Sequence, residues 1–313
     1  MYMGNIYDVV IIGAGPAGLS AGIYASRAKL KVVLLEKLIP GGQVLLTDEI
    51  ENYPGFQNAI SGAELINRMT NQAASLGLQI MTEEVVGIKH IHKEGHRFIL
   101  ETASSKKLEA LSIIAATGAS WNKLGVPGEE RLIGKGVSYC ATCDGPLAKG
   151  KEVVVVGGGD KAAEEALFLT KFADKVRLIH RRDSLRAVKV LQDRLFSNPK
   201  VEVVWNSTIT EILGEKFVEG VKINDKKTGL DSKVSCKAVF VFIGISPNSG
   251  LLKGIADVDE KGFIITDNEM RASQDGIFAA GDVRKKSLYQ IVSAVGEGAA
   301  AAFSVQKYVE EIN

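Results

Sequence analysis

The sequence predicts an α/β fold built from two Rossmann-like dinucleotide-binding units. A β-branched run that ends in a glycine-rich turn, continues as a helical pattern and leads into a second apolar run occurs twice, over residues 7–36 and 152–180. Each copy is closed much later by an apolar strand that ends at a glycine, Gly118 in the first and Gly244 in the second. One supersecondary plan is therefore used twice in one chain.

In the first copy, Tyr7 to Ile12 runs into Gly13-Ala14-Gly15-Pro16-Ala17-Gly18, Leu19 to Ala28 suits a helix, and Lys31 to Leu35 closes on Glu36. Gly13 makes the turn, Gly15 lets the backbone approach a pyrophosphate, Gly18 packs helix on strand, and Glu36 accepts hydrogen bonds from ribose hydroxyls. A glycine triad alone is weak evidence. Strand, triad, helix, strand and acid in that order are specific.

Gly41-Gly42-Gln43 and Asn52-Tyr53-Pro54-Gly55 follow, a turn-rich stretch too long for a simple connection and so read as a functional loop. Ser61 to Leu76 reads as a capped amphipathic helix with Leu65, Met69 and Ala73 on one face, for which a covering role suffices. Strands are expected between Gln79 and Leu100. His90, His92 and His96 fall on a strand-turn-strand pattern there, read as ordinary exposed histidines, and no metal site is expected. Leu111 to Ala116 is the closing strand, ending at Thr117-Gly118-Ala119.

Two of the three cysteines lie in Cys140-Ala141-Thr142-Cys143-Asp144-Gly145. A pair at this spacing closes a small disulfide loop and becomes exchange-active where one thiol ionises near neutral pH. Half of a zinc site is the competing reading, but a structural zinc needs two further ligands at family spacing, and the sequence has no second pair.

The second copy runs Glu152 to Val156, Gly157-Gly158-Gly159-Asp160-Lys161-Ala162, a helix from Ala163 to Phe172, and Lys175 to Ile179. Where the first copy places Glu36, the second places His180-Arg181-Arg182, with Arg186 a helical turn further. An acid there repels a ribose phosphate and arginines accept it, so this unit is expected to prefer NADPH to NADH. Ala238 to Ile243, ending at Gly244, closes it. A third strand of the same character, Gly276 to Ala280, ends in Gly281-Asp282, where an acid suits a polyol, and an alanine-rich helix follows from about Tyr289 to Val309.

With 38 basic and 37 acidic side chains in 313 residues, the overall charge gives no support to a nucleic-acid or anionic-membrane partner. The apolar stretch from Val9 to Ala25 is broken by Gly13, Gly15, Pro16 and Gly18, which excludes a membrane reading. The N-terminus runs straight toward a strand without the pattern of an export signal, so a reducing cytoplasm is expected, where a cysteine pair is catalytic more often than structural.

Taken together, Gly13 to Gly18, Gly41-Gly42-Gln43, Ala116-Thr117-Gly118, the Cys140 to Gly145 motif, Gly157 to Asp160, His180-Arg181-Arg182 with Arg186, and Gly281-Asp282 make the chain resemble, end to end, the low-molecular-weight thioredoxin reductases. The resemblance implies FAD on the first fingerprint and NADPH on the second. It also implies insertion of the NADPH domain, residues 118–247, between the two parts of the FAD domain, residues 1–117 and 248–313. FAD contacts are expected from Gly13, Gly15, Pro16, Ala17 and Gly18, from Glu36, Lys37, Gly42, Gln43, Asn52 and Val86, from Ala116, Thr117 and Gly118, and from Gly281, Asp282, Gln290 and Ile291. NADPH contacts are expected from Gly157, Gly158, Gly159 and Asp160, from His180, Arg181, Arg182 and Arg186, and from Ile243 and Gly244.

The same resemblance assigns Cys143 to face the flavin, Cys140 to attack a substrate disulfide and Asp144 to handle protons. It implies a relay from NADPH through FAD and the cysteine pair to thioredoxin, a domain rotation with hinges near Gly118 and Asn248, and a homodimer. Three alternatives remain. A flavin dithiol oxidase, which passes electrons to oxygen, has no need of Arg181 and Arg182; a reductase of another small dithiol protein uses the same scaffold; and a catalytically silent redox sensor does not need both a nicotinamide site and an intact cysteine pair. The family usually carries an arginine before the glutamine that opens the last helix, and Tyr289 stands in that place here.

Overall fold

The computed structural model describes residues 6–47, 50, 52–91 and 97–312; His92, His96 and the first five residues lie outside the described residues. The chain divides into two compact units, one formed by Met1–Ser120 with Ser246–Asn313 and the other by Trp121–Ile245. Each is an α/β unit in its own right.

In chain order, the first unit begins with β1 (Tyr7–Ile12), α1 (Pro16–Arg27), β2 (Val32–Glu36), α2 (Gly62–Ser75), β3 (Gln79–Thr82), β4 (Val85–Ile91), β5 (Arg97–Thr102) and β6 (Lys107–Ala115). β7 (Ala119–Trp121) then carries the chain out of it. The second unit contains β8 (Val137–Ser138), α3 (Ala141–Asp144), β9 (Glu152–Gly157), α4 (Asp160–Leu169), β10 (Lys175–Ile179), α5 (Lys189–Ser197), β11 (Val201–Val204), β12 (Ser207–Leu213), β13 (Gly220–Asp225), β14 (Asp231–Ser235) and β15 (Ala238–Phe242). β16 (Ile245–Pro247) returns to the first unit, which ends with β17 (Ile277–Ala279) and α6 (Ile291–Ile312).

The sheet of the first unit runs β3-β2-β1-β6-β5-β4, with β17 also on β6. β1, β2, β3, β6 and β17 pair in parallel, and the β4–β5 hairpin joins β6 antiparallel. A parallel strand buried on both faces is apolar at successive positions, and β1 is such a strand. Val9 and Ile11 pack under α1, α2 and α6, while Val10 and Ile12 join Phe98, Leu100 and Ile264 on the opposite face. At Gly298 of α6 a side chain would collide with the Ala17 backbone of α1, so that glycine sets how closely the two helices approach.

The second unit repeats the plan in a parallel sheet ordered β11-β10-β9-β15-β8. Val153 and Val155 of β9 face α4 and α5, and Val154 and Val156 face the antiparallel β12-β13-β14 meander.

Three expectations shift. α4 starts at Asp160 instead of Ala163 and stops at Leu169, because its apolar residues mark the buried face and not the helix ends. α6 runs to Ile312, three residues beyond the expected Val309. His90 is half-buried, not exposed: β4–β5 pairing sets it opposite Phe98, and the two rings stack at 4.7 Å. α2 forms as expected, with the Ser61 hydroxyl accepting the Glu64 N–H at 3.1 Å.

Candidate functional site

At the first glycine turn Gly13 has φ +102°, and a side chain there would run into the Ala116 carbonyl. Gly18 lies so close to the Gly13 carbonyl that a Cβ has no room, which is the helix-on-strand contact its spacing implied. At Gly15 a Cβ would meet nothing within 4 Å. Gly15 is also the N-cap of α1, with no side-chain cap and Pro16 at the first helical position, so the first-turn amides of Ala17 and Gly18 are left for an anion.

Glu36, at the end of β2, is held against this turn. Its Oε2 accepts the Ala14 N–H at 2.8 Å, and its Oε1 accepts the Leu38 N–H at 3.2 Å. Lys37 is exposed beside it. A Cβ at Gly42 would lie 3.8 Å from Gly15 Cα, and the Gln43 side chain donates to the Ala119 carbonyl. Asn52 Nδ2 donates to Gln290 Oε1 at 3.0 Å, which joins the long loop to the residue before Ile291, the first of α6. Val86 is 55% exposed on β4. Thr117 and Gly118 are held by Asn248: its N–H donates to the Gly118 carbonyl at 3.0 Å, and its Nδ2 to the Thr117 carbonyl at 2.9 Å.

Gly281 and Asp282 follow β17. Lys286 Nζ lies 2.9 Å from Asp282 Oδ1, yet this buried oxygen receives no aligned hydrogen bond. Glu297, on α6, accepts the Gly281 N–H at 2.8 Å and pairs with Arg284 at 3.1 Å and Lys286 at 3.4 Å. Tyr289 packs on Phe263 with its ring under Lys286 Nζ, and burial raises its phenol. Three features of this unit fit FAD: open space over Gly15, an uncapped helix N-terminus, and a buried carboxylate oxygen without an aligned donor, which suits a polyol hydroxyl.

In the second unit a Cβ at Gly159 would again meet nothing within 4 Å, whereas one at Gly158 would strike the His180 ring. His180 is buried, with Nδ1 2.7 Å from the Gly157 carbonyl and Nε2 3.0 Å from the Ser184 carbonyl. Both ring nitrogens are thus engaged with backbone, and His180 serves the site by fastening the glycine turn to the loop after β10. That loop is also tied by the Arg186 N–H to the Gly158 carbonyl at 2.7 Å and by the Val188 N–H to Asp160 Oδ1 at 2.7 Å. Arg181, Arg182 and Arg186 are exposed, and among the described residues none of the three forms an ion pair. Open space at Gly159 beside three uncommitted guanidiniums fits a dinucleotide that carries an extra phosphate. Ile243 and Gly244 close the same sheet, and Gly244 has φ +112°.

Cys140 and Cys143 form a disulfide with Cα atoms 5.3 Å apart. The Cys143 N–H points at Cys140 Sγ at 3.2 Å, a donor that favours negative charge on that sulfur. Gly145 is closed over by the Ala141 carbonyl and the Phe168 ring, and no larger residue fits there. Asp144, one residue after the pair, is partly buried. Cys236 is buried away from solvent, and desolvation pushes its thiol up to about 12, which makes it inert. Among the described residues no group of three or more His, Cys, Asp or Glu is placed to hold a metal ion, and no helix is long and apolar enough to cross a membrane.

A model of the pyridine nucleotide-disulphide oxidoreductases matches residues 7–298. The chain belongs to that family. It is similar to the thioredoxin reductase of Listeria monocytogenes, 48% identical over 309 residues that cover 98% of this chain and 95% of the relative. It is equally similar, 48% over 306 residues and 98% of both chains, to that of Treponema pallidum. Among solved structures, the thioredoxin reductase of Streptococcus pyogenes superposes with a TM-score of 0.92 at 45% identity, covering 98% of this chain and 99% of that one. That of Giardia duodenalis gives 0.88 at 38%, covering 96% and 98%. As a pyridine nucleotide-disulphide oxidoreductase the chain is an FAD- and NADPH-dependent enzyme.

Sequence reading missed Glu297 and the fastening role of His180. Glu297 stands sixteen positions after Gly281 and meets it only because α6 folds back on the strand end, so no local pattern announces it.

Proposed function

We propose that the chain is a thioredoxin-disulfide reductase, taking electrons from NADPH and delivering them through the Cys140–Cys143 pair to the disulfide of oxidised thioredoxin. The observation that carries this reading is the closed Cys140–Cys143 disulfide in the same unit as the Gly157 turn and three uncommitted arginines. The names of the relatives agree with it.

In this reading residues 118–247 hold NADPH, with Gly159 passing its pyrophosphate and Arg181, Arg182 and Arg186 its 2′-phosphate. Residues 1–117 and 248–313 hold FAD, through Gly15, Glu36 and Asp282 above all. FAD, when bound, supplies the two-electron relay between nicotinamide and disulfide.

Once the pair is reduced, Cys140 as thiolate attacks one sulfur of the thioredoxin disulfide and the other sulfur leaves. Cys143 then attacks Cys140 Sγ in the mixed disulfide, which re-forms the internal bond. Two electrons and two protons pass to thioredoxin, with Asp144 placed to hand on a proton beside Cys143. The working form is a cytoplasmic homodimer whose units rotate about Gly118 and Asn248 between the two half-reactions.

Anaerobic addition of one equivalent of NADPH, then of oxidised thioredoxin, tests this. The expected result is two titratable thiols on the enzyme after the first addition and their transfer to thioredoxin after the second. An enzyme that consumes NADPH and never reduces the partner rules the assignment out.

A further inference from the structure

The cysteine loop is held from one side by a buried carboxylate. Glu129 is 1% exposed, carries no ion pair among the described residues, and is satisfied by three neutral donors. Leu124 N–H reaches its Oε1 at 2.9 Å, Gly125 N–H its Oε2 at 2.8 Å, and the Tyr139 hydroxyl its Oε1 at 2.9 Å. A carboxylate in a protein core is costly unless several donors converge on it, and here they do, with Lys123, itself paired to Glu130, near enough to feel its charge.

Tyr139 immediately precedes Cys140. Its ring stacks on Trp121, with centroids 6.1 Å apart and planes 13° from parallel. Burial and the Glu129 carboxylate both raise its phenol, so it remains a hydrogen-bond donor. The next residue back, Ser138, brackets Cys140: its Oγ accepts the Cys140 N–H at 3.0 Å and donates to the Cys140 carbonyl at 3.2 Å.

The sheet alone holds this segment weakly. β8 has two residues and two register partners at the sheet edge, Val137 on Val239 and Ser138 on Phe240. Short edge strands of this kind open locally at small free-energy cost. The hydrogen bond from Tyr139 to Glu129 supplies a fixed point just where the ladder ends and the cysteine begins.

We infer that Glu129 is a positioning residue for the redox pair: through the Tyr139 hydroxyl it holds Cys140 within bonding reach of Cys143, and so sets the balance between closed disulfide and open dithiol. The inference rests on the pair being redox-active, as proposed above. Ring closure between two thiols depends on their effective concentration, which falls when one of them is released from a fixed backbone position. Loosening the support therefore favours the dithiol.

The test uses the holoenzyme, equilibrated anaerobically with mixtures of reduced and oxidised dithiothreitol. Dithiothreitol gives two electrons and two protons to the Cys140–Cys143 bond and closes to its own cyclic disulfide; alkylation and mass counting then read the dithiol fraction. Tyr139→Phe keeps the ring and the Trp121 stack but deletes the donor. It is expected to shift the equilibrium about tenfold toward dithiol, which is about 30 mV for a two-electron couple. Glu129→Leu, which deletes the acceptor, should shift the equilibrium in the same direction, and adding Tyr139→Phe to it should shift it no further, because the hydrogen bond between the two residues is already gone.

Ile223→Val, in the same buried cluster on β13, is the matched control: it should lower Tm and leave the equilibrium in place. If Glu129→Leu does not fold, Tyr139→Phe decides alone. An unchanged equilibrium in Tyr139→Phe, or an equal shift in Ile223→Val, overturns the inference while leaving the proposed function intact. A wild-type pair that NADPH cannot reduce overturns both.

Discussion

The two glycine turns are the same device with opposite polarity at one position. β1 pairs with β2 up to Ile12–Leu35, and β9 with β10 up to Val156–Ile179, so Glu36 and His180 occupy equivalent places one residue later. Glu36 accepts an amide of its glycine turn, and His180 lies against a carbonyl of its own. Beyond Glu36 the chain continues through exposed Lys37, Leu38 and Ile39, and beyond His180 through exposed Arg181 and Arg182. The architecture supplies a phosphate-ready helix start in both units. In the proposed reading, selectivity lies in the side chain that ends the second strand and in the loop after it, so that one fold serves two different nucleotides in one chain.

The strongest way to sharpen that contrast is to cut the path between nucleotides and partner while sparing both turns. Cys140→Ser and Cys143→Ser should each abolish thioredoxin reduction, and oxidation of NADPH by an artificial acceptor should persist at near wild-type rate. Cys236→Ser should turn over normally, and native protein at pH 8 should leave Cys236 unlabelled by iodoacetamide, since its thiol is pushed up to about 12. Thioredoxin reduction in either Cys140→Ser or Cys143→Ser would break the picture.

Next in size is the choice of nicotinamide. Each charge-assisted contact to the 2′-phosphate contributes about 1.5–3 kcal/mol, so Arg181→Ala with Arg182→Ala should lower the kcat/KM preference for NADPH over NADH by on the order of a hundredfold or more. An unaltered preference would put the phosphate elsewhere. FAD content should not change.

Glu36→Gln is the mirror experiment. Replacing an acceptor that serves two loop amides leaves one of them facing an NH2 group, at a cost of about 1.5–3 kcal/mol. FAD release, followed by flavin fluorescence, should become roughly tenfold to a hundredfold easier, while the affinity for NADPH stays put. Equal losses at both nucleotides would mean that the two turns are not independent.

The smallest effect is that of salt. Raising ionic strength from about 0.05 to about 0.5 M screens exposed arginines and should raise the KM for NADPH several-fold with little change for NADH. Parallel behaviour of the two cofactors would argue against exposed Arg181, Arg182 and Arg186 as the discriminating groups.

What the sequence made legible was whatever is encoded over short spacings: both glycine turns, the acid and the basic run that follow them, and the cysteine pair. Helix ends were less so, as α4 shows, because buried alanines report which face is packed and say nothing of where a glycine caps the helix. Partnerships formed by distant segments were illegible. Glu297 on Gly281, Glu129 under Tyr139 and His90 on Phe98 are all tertiary pairings of residues whose own neighbourhoods look unexceptional.

The interrupted first unit carries a consequence for synthesis. Trp121–Ile245 leaves the ribosome whole while the N-terminal sheet still lacks β17 and α6, and at about 5–20 residues per second the missing piece trails by several seconds. For that interval the face of α1 that later receives Gly298 and Ala301 is bare. A premature stop late in translation therefore damages the part of the protein made first: the nascent chain would display a finished inner unit and an outer one with an open apolar seam, the kind of surface that chaperones and proteases read.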